Sequence, residues 1–249
     1  MNQPKIALQM YSLREYDVEQ VEEKLQKVKN AGYDGVEFAG FYDIPVDEMK
    51  RILEKCQLLS MGTHTRMEEL QNNLEEVIAY NKELGTSYVI IPYFKIETKE
   101  DLEQLIQIIK TISPKIKDAG MSLLYHNHYH EFRTEFDNKP VLELLRDATT
   151  PEEFNFEIDM FWTTHADQNP LDIMARFGSR CKTVHLKDMT DKVSKEMTEV
   201  GTGIVDMQSI LTKCKADNFE WVVVEQEKFI MEPYESIAIS LQNIRKMLG

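Results

Sequence analysis

The run Leu123-Leu124-Tyr125-His126-Asn127-His128-Tyr129-His130-Glu131-Phe132 sets three of the chain's 6 histidines within five positions, behind an apolar lead-in. A helix-like segment closes at Ala119-Gly120 just upstream, so the run reads as a buried strand whose last residues emerge as a polar rim. Side chains alternate along a strand, which puts His126 and His128 on one face.

Strand-like and helix-like segments alternate on both sides of this run. Toward the N terminus, strands are expected at 5–13, 35–39, 58–64 and 88–92. Helices are expected at 18–31, 45–56 and 67–84, followed by a helical pattern at 102–119 that Pro114 should kink or restart. Toward the C terminus come a helix at 141–147, a strand at 154–161, a helix at 170–177, a strand at 182–187, a helix at 205–215, a strand at 220–226 and a closing helix at 234–247. Such alternation implies a parallel sheet, because parallel neighbours need crossover connections. Eight such units in 249 residues point to an α/β fold, the closed (β/α)8 TIM barrel. A doubly wound open sheet is the alternative. It usually has fewer strands, and the glycine-rich dinucleotide fingerprint is missing after the first strand, where Tyr11-Ser12-Leu13-Arg14-Glu15 stands.

No Pro/Gly/Ser-rich linker or composition shift divides the chain, so one domain spanning 1–249 is expected, and a 42% hydrophobic content can fill its core. The longest apolar runs fall well short of the ~20 residues that cross a bilayer, which implies a soluble protein. Met1-Asn2-Gln3-Pro4-Lys5 carries no basic-then-apolar leader, and three scattered cysteines, Cys56, Cys181 and Cys214, suggest neither a disulfide framework nor a cysteine-based zinc site. A reducing cytoplasm fits both. The net charge of −14, from 43 acidic against 29 basic residues, would repel polyanions and argues against nucleic-acid or anionic-membrane partners. Apolar positions on the outer helices leave room for a homodimer.

Barrel enzymes work at the carboxyl ends of their strands. Glu37, His64, His126, His128, Asp159, His185, Lys187 and Glu225 all fall there, and with His130 these ends hold five of the 6 histidines. His126, Asp159, His185 and Glu225, from four successive strands, supply imidazole and carboxylate ligands of the kind that bind one divalent ion such as Zn, Mn, Co or Mg.

These residues, with the opening Leu8-Gln9-Met10-Tyr11-Ser12-Leu13-Arg14, Tyr125-His126-Asn127-His128, Glu131-Phe132, Glu157-Ile158-Asp159, His185-Leu186-Lys187-Asp188, Gly201-Thr202-Gly203 and Glu225-Gln226, resemble the sugar phosphate isomerase/epimerase family of xylose-isomerase-like barrels. The resemblance covers nearly the whole chain. It implies a single divalent metal held from the fifth to eighth strands, by His126, Asp159, His185 and Glu225. Two departures stand out. His126 takes the place where the ketose epimerases and hydroxypyruvate isomerases of the superfamily usually carry a Glu, and Trp162 stands where those epimerases often have a substrate-binding His.

The resemblance implies a role in carbohydrate metabolism, as an isomerase or epimerase of a sugar, sugar phosphate or keto-sugar working through an enediolate. Glu225 is the expected base, Lys187 and His128 the groups that protonate or stabilise oxygen, and Glu37, His64, Glu131 and Trp162 the substrate-binding residues. With no fifth-strand carboxylate on the metal, one-base chemistry suits the site better than two-base epimerisation. Lyase, dehydratase or hydrolase chemistry on the same site, and a non-catalytic sugar-binding barrel, are the competing expectations. The Gly201-Thr202-Gly203 loop is read either as an anion contact through backbone amides or as a plain turn.

Overall fold

The computed structural model describes residues 3–15 and 21–249. Eight parallel strands close on themselves in chain order: β1 (Lys5–Gln9), β2 (Gly35–Phe38), β3 (Leu59–His64), β4 (Tyr88–Ile91), β5 (Ser122–His126), β6 (Asn155–Asp159), β7 (Cys181–Leu186) and β8 (Trp221–Val224). Pairing of β8 with β1, Lys5 opposite Trp221 and Leu8 opposite Val224, shuts the sheet and excludes the doubly wound alternative. Around the sheet lie α1 (Val21–Ala31), α2 (Val46–Cys56), α3 (Leu74–Glu83), α4 (Lys99–Asp118), α5 (Val141–Asp147), α6 (Pro170–Phe177), α7 (Met207–Ala216) and α8 (Pro233–Leu248). None of the described helices is long and apolar enough to cross a membrane.

Each strand is buried on both faces, as a parallel sheet under helices requires. Outward residues such as Leu8, Val36, Val89, Leu123, Ile158 and Val184 join one continuous core with the helices. Inside the barrel, Ala7, Met61, Trp221 and Val223 form a separate apolar cluster with Tyr88 packed against it. This is the floor. Trp221 dictates its neighbour, since a Cβ on Gly35 would lie 2.8 Å from the indole ring and 2.5 Å from the Leu59 carbonyl oxygen.

Several expected boundaries shift for local reasons. Residues 18–20 of the first expected helix lie outside the described residues. The first strand stops at Gln9, whose side chain accepts the Tyr11 N–H and turns the chain into a 3-10 segment, Met10–Leu13. The single helix expected at 67–84 is broken at Asn73 into Met67–Asn72 and α3. Pro114 does not restart α4, which runs unbroken from Lys99 to Asp118. Proline removes one helical hydrogen bond, but Leu105, Ile109, Ile112 and Ile116 bury the helix face and a Thr98/Asp101 capping box fixes its start. The sixth strand ends at Asp159 rather than running to 161, because the Asp159 carboxylate accepts the Trp162 N–H and caps a short helix, Met160–His165.

Candidate active site at the barrel mouth

Strand alternation carries the barrel interior from apolar to charged within one step. Gln9 stands two residues beyond Ala7, Glu225 two beyond Val223, and Asp159 two beyond Glu157 on the same inward face. The upper interior thus holds four buried carboxylates, Glu37, Glu157, Asp159 and Glu225, beside His64, His126, His185 and Lys187. Charges removed from water this thoroughly are costly unless paired and hydrogen-bonded.

The pairing is arranged in two tiers. In the lower one, Glu157 Oε2 lies 2.9 Å from His64 Nε2, 3.2 Å from His126 Nδ1 and 2.9 Å from His185 Nε2. Glu37 Oε2 lies 3.1 Å from His64 Nε2 and 2.8 Å from His185 Nε2, and accepts a 2.6 Å hydrogen bond from Gln9. In the upper tier, His126 Nε2 stands 3.7 Å from Asp159 Oδ2, and His185 Nδ1 stands 2.9 Å from Glu225 Oε2. The Lys187 ammonium joins this tier, 3.1 Å from Asp159 Oδ2, 2.7 Å from Glu225 Oε2 and 2.7 Å from Glu227 Oε1.

These contacts set the electrostatics. Burial opposes charge on His64, yet Glu37 and Glu157 outweigh it and lift its pKa to about 9. His185 shows the same balance and is raised well above the ordinary value. His126 goes the other way, pushed well down by burial and by the positive His185 and His64. Burial lifts Asp159 to about 6 against the pull of Lys187 and His185, whereas Glu225 is held well below the carboxylate range because Lys187 and His185 overcome its burial. His128 is pushed down to about 3 by burial and then by Lys187, so it is neutral.

His126, Asp159, His185 and Glu225 offer ligand atoms that all lie within 4.8 Å of one another, and so do His64, His126, Glu157 and His185. The first set suits a divalent ion. Two imidazoles and two carboxylates are the donor types such ions take, and the buried Asp159 Oδ2 is ion-paired with the Lys187 ammonium at 3.1 Å but accepts no hydrogen bond among the described residues.

Above the cluster opens a cavity of about 840 Å3, bordered by His64, His126, His128, Glu225 and Glu227. Its wall comes from the first half of the barrel, with Tyr11, Phe41, Tyr42, Arg66 and Tyr93.

The sequence-derived residues are therefore distributed unevenly. His126, Asp159, His185, Glu225 and Lys187 meet, with His64 and His128 at the cavity edge and Glu37 fully buried beneath. Glu131 is set apart. The chain after β5 turns into a short helix, His130–Arg133, and aims this carboxylate at the Tyr125 hydroxyl, 2.8 Å away, and the His128 N–H, 2.9 Å away, rather than at the cavity. Trp162 does not border the cavity either; its ring lies 5.3 Å from that of His128 and 5.6 Å from the Lys187 ammonium. The Gly201-Thr202-Gly203 loop is a turn whose amides serve Asp188, which accepts hydrogen bonds from the N–H groups of Gly201, Gly203 and Val205. A Cβ on Gly203 would meet the Met189 carbonyl oxygen at 2.2 Å. Sequence reasoning did not place Glu227 in the site, and it met Glu157 only within the motif Glu157-Ile158-Asp159, without a role on the metal. Polar residues at alternate positions of the strand Phe154-Asn155-Phe156-Glu157-Ile158-Asp159, with Glu157 in phase with Asp159, were the signal for Glu157.

With the geometry in hand, comparisons with known proteins agree on the architecture. Residues 25–247 match the model of the xylose isomerase-like TIM barrel family. An inosose dehydratase of Bacillus cereus (strain AH820) is 22% identical over 270 residues, covering 92% of this chain and 90% of that protein. A sugar phosphate isomerase/epimerase structure from Parabacteroides distasonis superposes with a TM-score of 0.84 at 22% identity, covering 100% of this chain and 96% of the other. The IOLI protein, solved with a zinc atom, superposes with a TM-score of 0.74 at 15% identity, covering 98% of each chain.

Proposed function

We propose a function from one premise: this chain belongs to the xylose isomerase-like TIM barrel family. It is a divalent-metal-dependent isomerase of a sugar, sugar phosphate or keto-sugar, in which one carboxylate moves a proton between carbons next to a carbonyl. The observation that carries this reading is positional. Of Glu37, Glu157, Asp159 and Glu225, only Glu225 borders the cavity, and it alone of the bordering pair Glu225 and Glu227 is also bound to His185 in the ligand cluster.

His126, Asp159, His185 and Glu225 would hold the ion, which when bound supplies a Lewis acid that favours negative charge on neighbouring substrate oxygens. Glu225 engages His185 and Lys187 through Oε2, so Oε1 is the oxygen that takes the proton from carbon and returns it one carbon away. Lys187, locked among Asp159, Glu225 and Glu227, presents a fixed positive charge to the oxygen that becomes an enediolate. Neutral His128 stands at the cavity edge and passes protons between the two oxygens. His64 covers Glu37 and Glu157, which removes them as second bases and favours isomerisation over two-base epimerisation. A cytoplasmic location suits this enzyme, since the buried thiols of Cys56, Cys181 and Cys214 stay reduced there.

A second reading, dehydration next to the carbonyl, is favoured by the likeness to inosose dehydratases. There the proton removed by Glu225 leaves with a hydroxyl as water. Incubation with a panel of aldoses, ketoses and keto-sugars in deuterated water, followed by NMR, separates the two. Deuterium at one carbon with a shifted carbonyl supports isomerisation, and loss of a hydroxyl supports dehydration. Absence of both, with metal present, would end the proposal.

A further inference from the structure

We infer that Glu157 is a positioning residue that decides which nitrogen of His126, and together with Glu37 which nitrogen of His185, is offered to the divalent ion. The inference rests on the reading that His126, Asp159, His185 and Glu225 hold that ion.

A neutral imidazole carries one N–H and one lone pair, and the partner of the N–H decides which nitrogen is left to ligate. His126 turns Nδ1 toward Glu157 Oε2 at 3.2 Å and Nε2 toward Asp159 Oδ2 at 3.7 Å. His185 is mounted the other way round, with Nε2 hydrogen-bonded to Glu37 Oε2 at 2.8 Å and also 2.9 Å from Glu157 Oε2, and Nδ1 toward Glu225 Oε2 at 2.9 Å. Both rings thus point one nitrogen down at the same carboxylate oxygen and the other up at a ligating carboxylate. Among the described residues His126 hydrogen-bonds through Nδ1 alone, so that nitrogen carries its proton and the Nε2 lone pair faces the ion. His185, by contrast, is bonded at both nitrogens and takes the matching state, proton on Nε2 and lone pair on Nδ1, when the ion displaces its Nδ1 proton. His64 Nε2, 2.9 Å away, steadies the same oxygen. Glu157 is fully buried, does not border the cavity, and sits one alternation step below Asp159 on β6, so it is well placed to act through the histidines rather than on substrate.

The test compares wild type with Glu157→Gln, which keeps the shape but presents an amide that both donates and accepts. A chromogenic chelator competition for Zn2+ should show affinity weakened 10–100-fold in Glu157→Gln. Glu131→Gln, equally buried behind β5, should bind Zn2+ as wild type does. Histidine 15N NMR of zinc-loaded wild type should report ligation through Nε2 of His126 and Nδ1 of His185. Unchanged affinity in Glu157→Gln overturns the inference. So does ligation through Nδ1 of His126 and Nε2 of His185, which would make Glu157 a ligand in a lower site with His64. The wild-type spectrum decides even if Glu157→Gln does not fold. Should wild type bind no Zn2+, the metal reading fails by itself. In that case a proton on His126 Nδ1 in wild type still supports the role of Glu157, and a proton on Nε2 refutes it.

Discussion

The floor and the mouth of this barrel are built from the same strands and differ by one alternation step. Ala7, Val223 and Trp221 close the floor, while Gln9 and Glu225, two residues further along β1 and just past β8, belong to the charged cluster. Packing in the floor is favourable from every side, since each buried apolar atom gains about 25 cal/mol per Å2 of surface removed from water. In the mouth, Glu37, Glu157, Asp159 and Glu225 repel one another, and the imidazoles and Lys187 paired with them make their burial tolerable. Stability and chemistry are thereby separated along the barrel axis although they share a backbone.

That separation makes graded predictions. The largest effect is expected in the mouth: Glu225→Gln should reduce turnover ~1,000–10,000-fold, about 4–5.5 kcal/mol of barrier, with the folded structure retained by circular dichroism. A variant that loses both together would show that the two regions are not separable. Next comes the floor, where Trp221→Ala should cost ~3–5 kcal/mol in urea unfolding while folded protein keeps its Zn2+ affinity. A large change in that affinity would mean the floor shapes the site. Metal removal by chelator should lower stability by ~2.7 kcal/mol relative to protein held at 100 times its dissociation constant. The same decrement in Trp221→Ala would confirm that binding energy resides in the mouth alone; a smaller one would couple the regions. Smallest is Thr98→Ala, which removes the cap of α4 far from both regions and should cost ~1 kcal/mol in unfolding with turnover unchanged.

The barrel was legible because the period of the pattern changes between strands and helices, and because glycines such as Gly32 and Gly120 punctuate them. Strand ends were less so. Asp159 and His126 end their strands by entering turns and short helices, which depends on where a single carboxylate or amide finds its partner. The upper tier of the cluster was readable from strand-end positions, since histidines and carboxylates gather there. Glu157 was not, because it lies one step deeper, where sequence alone does not distinguish a functional charge from a turn of register. Glu131 illustrates the opposite difficulty. Five residues past His126 in a loop, its direction is set by the helix His130–Arg133 and by Tyr125, neither of which leaves a periodic trace.

The cavity wall is supplied by segments after β1 to β4, through Tyr11, Phe41, Tyr42, Arg66 and Tyr93, whereas the residues proposed to handle protons come from β5 onward. For a lineage carrying this gene, that split is a form of heritable freedom. Descendants can exchange the loop at 39–44 or the residues around Tyr93 and so reshape what the cavity accepts. The inherited group of His126, Asp159, His185 and Glu225 on the other half of the ring is spared any change. Diversity of substrates among such barrels then needs no reinvention of chemistry, only drift on the side that touches what is new.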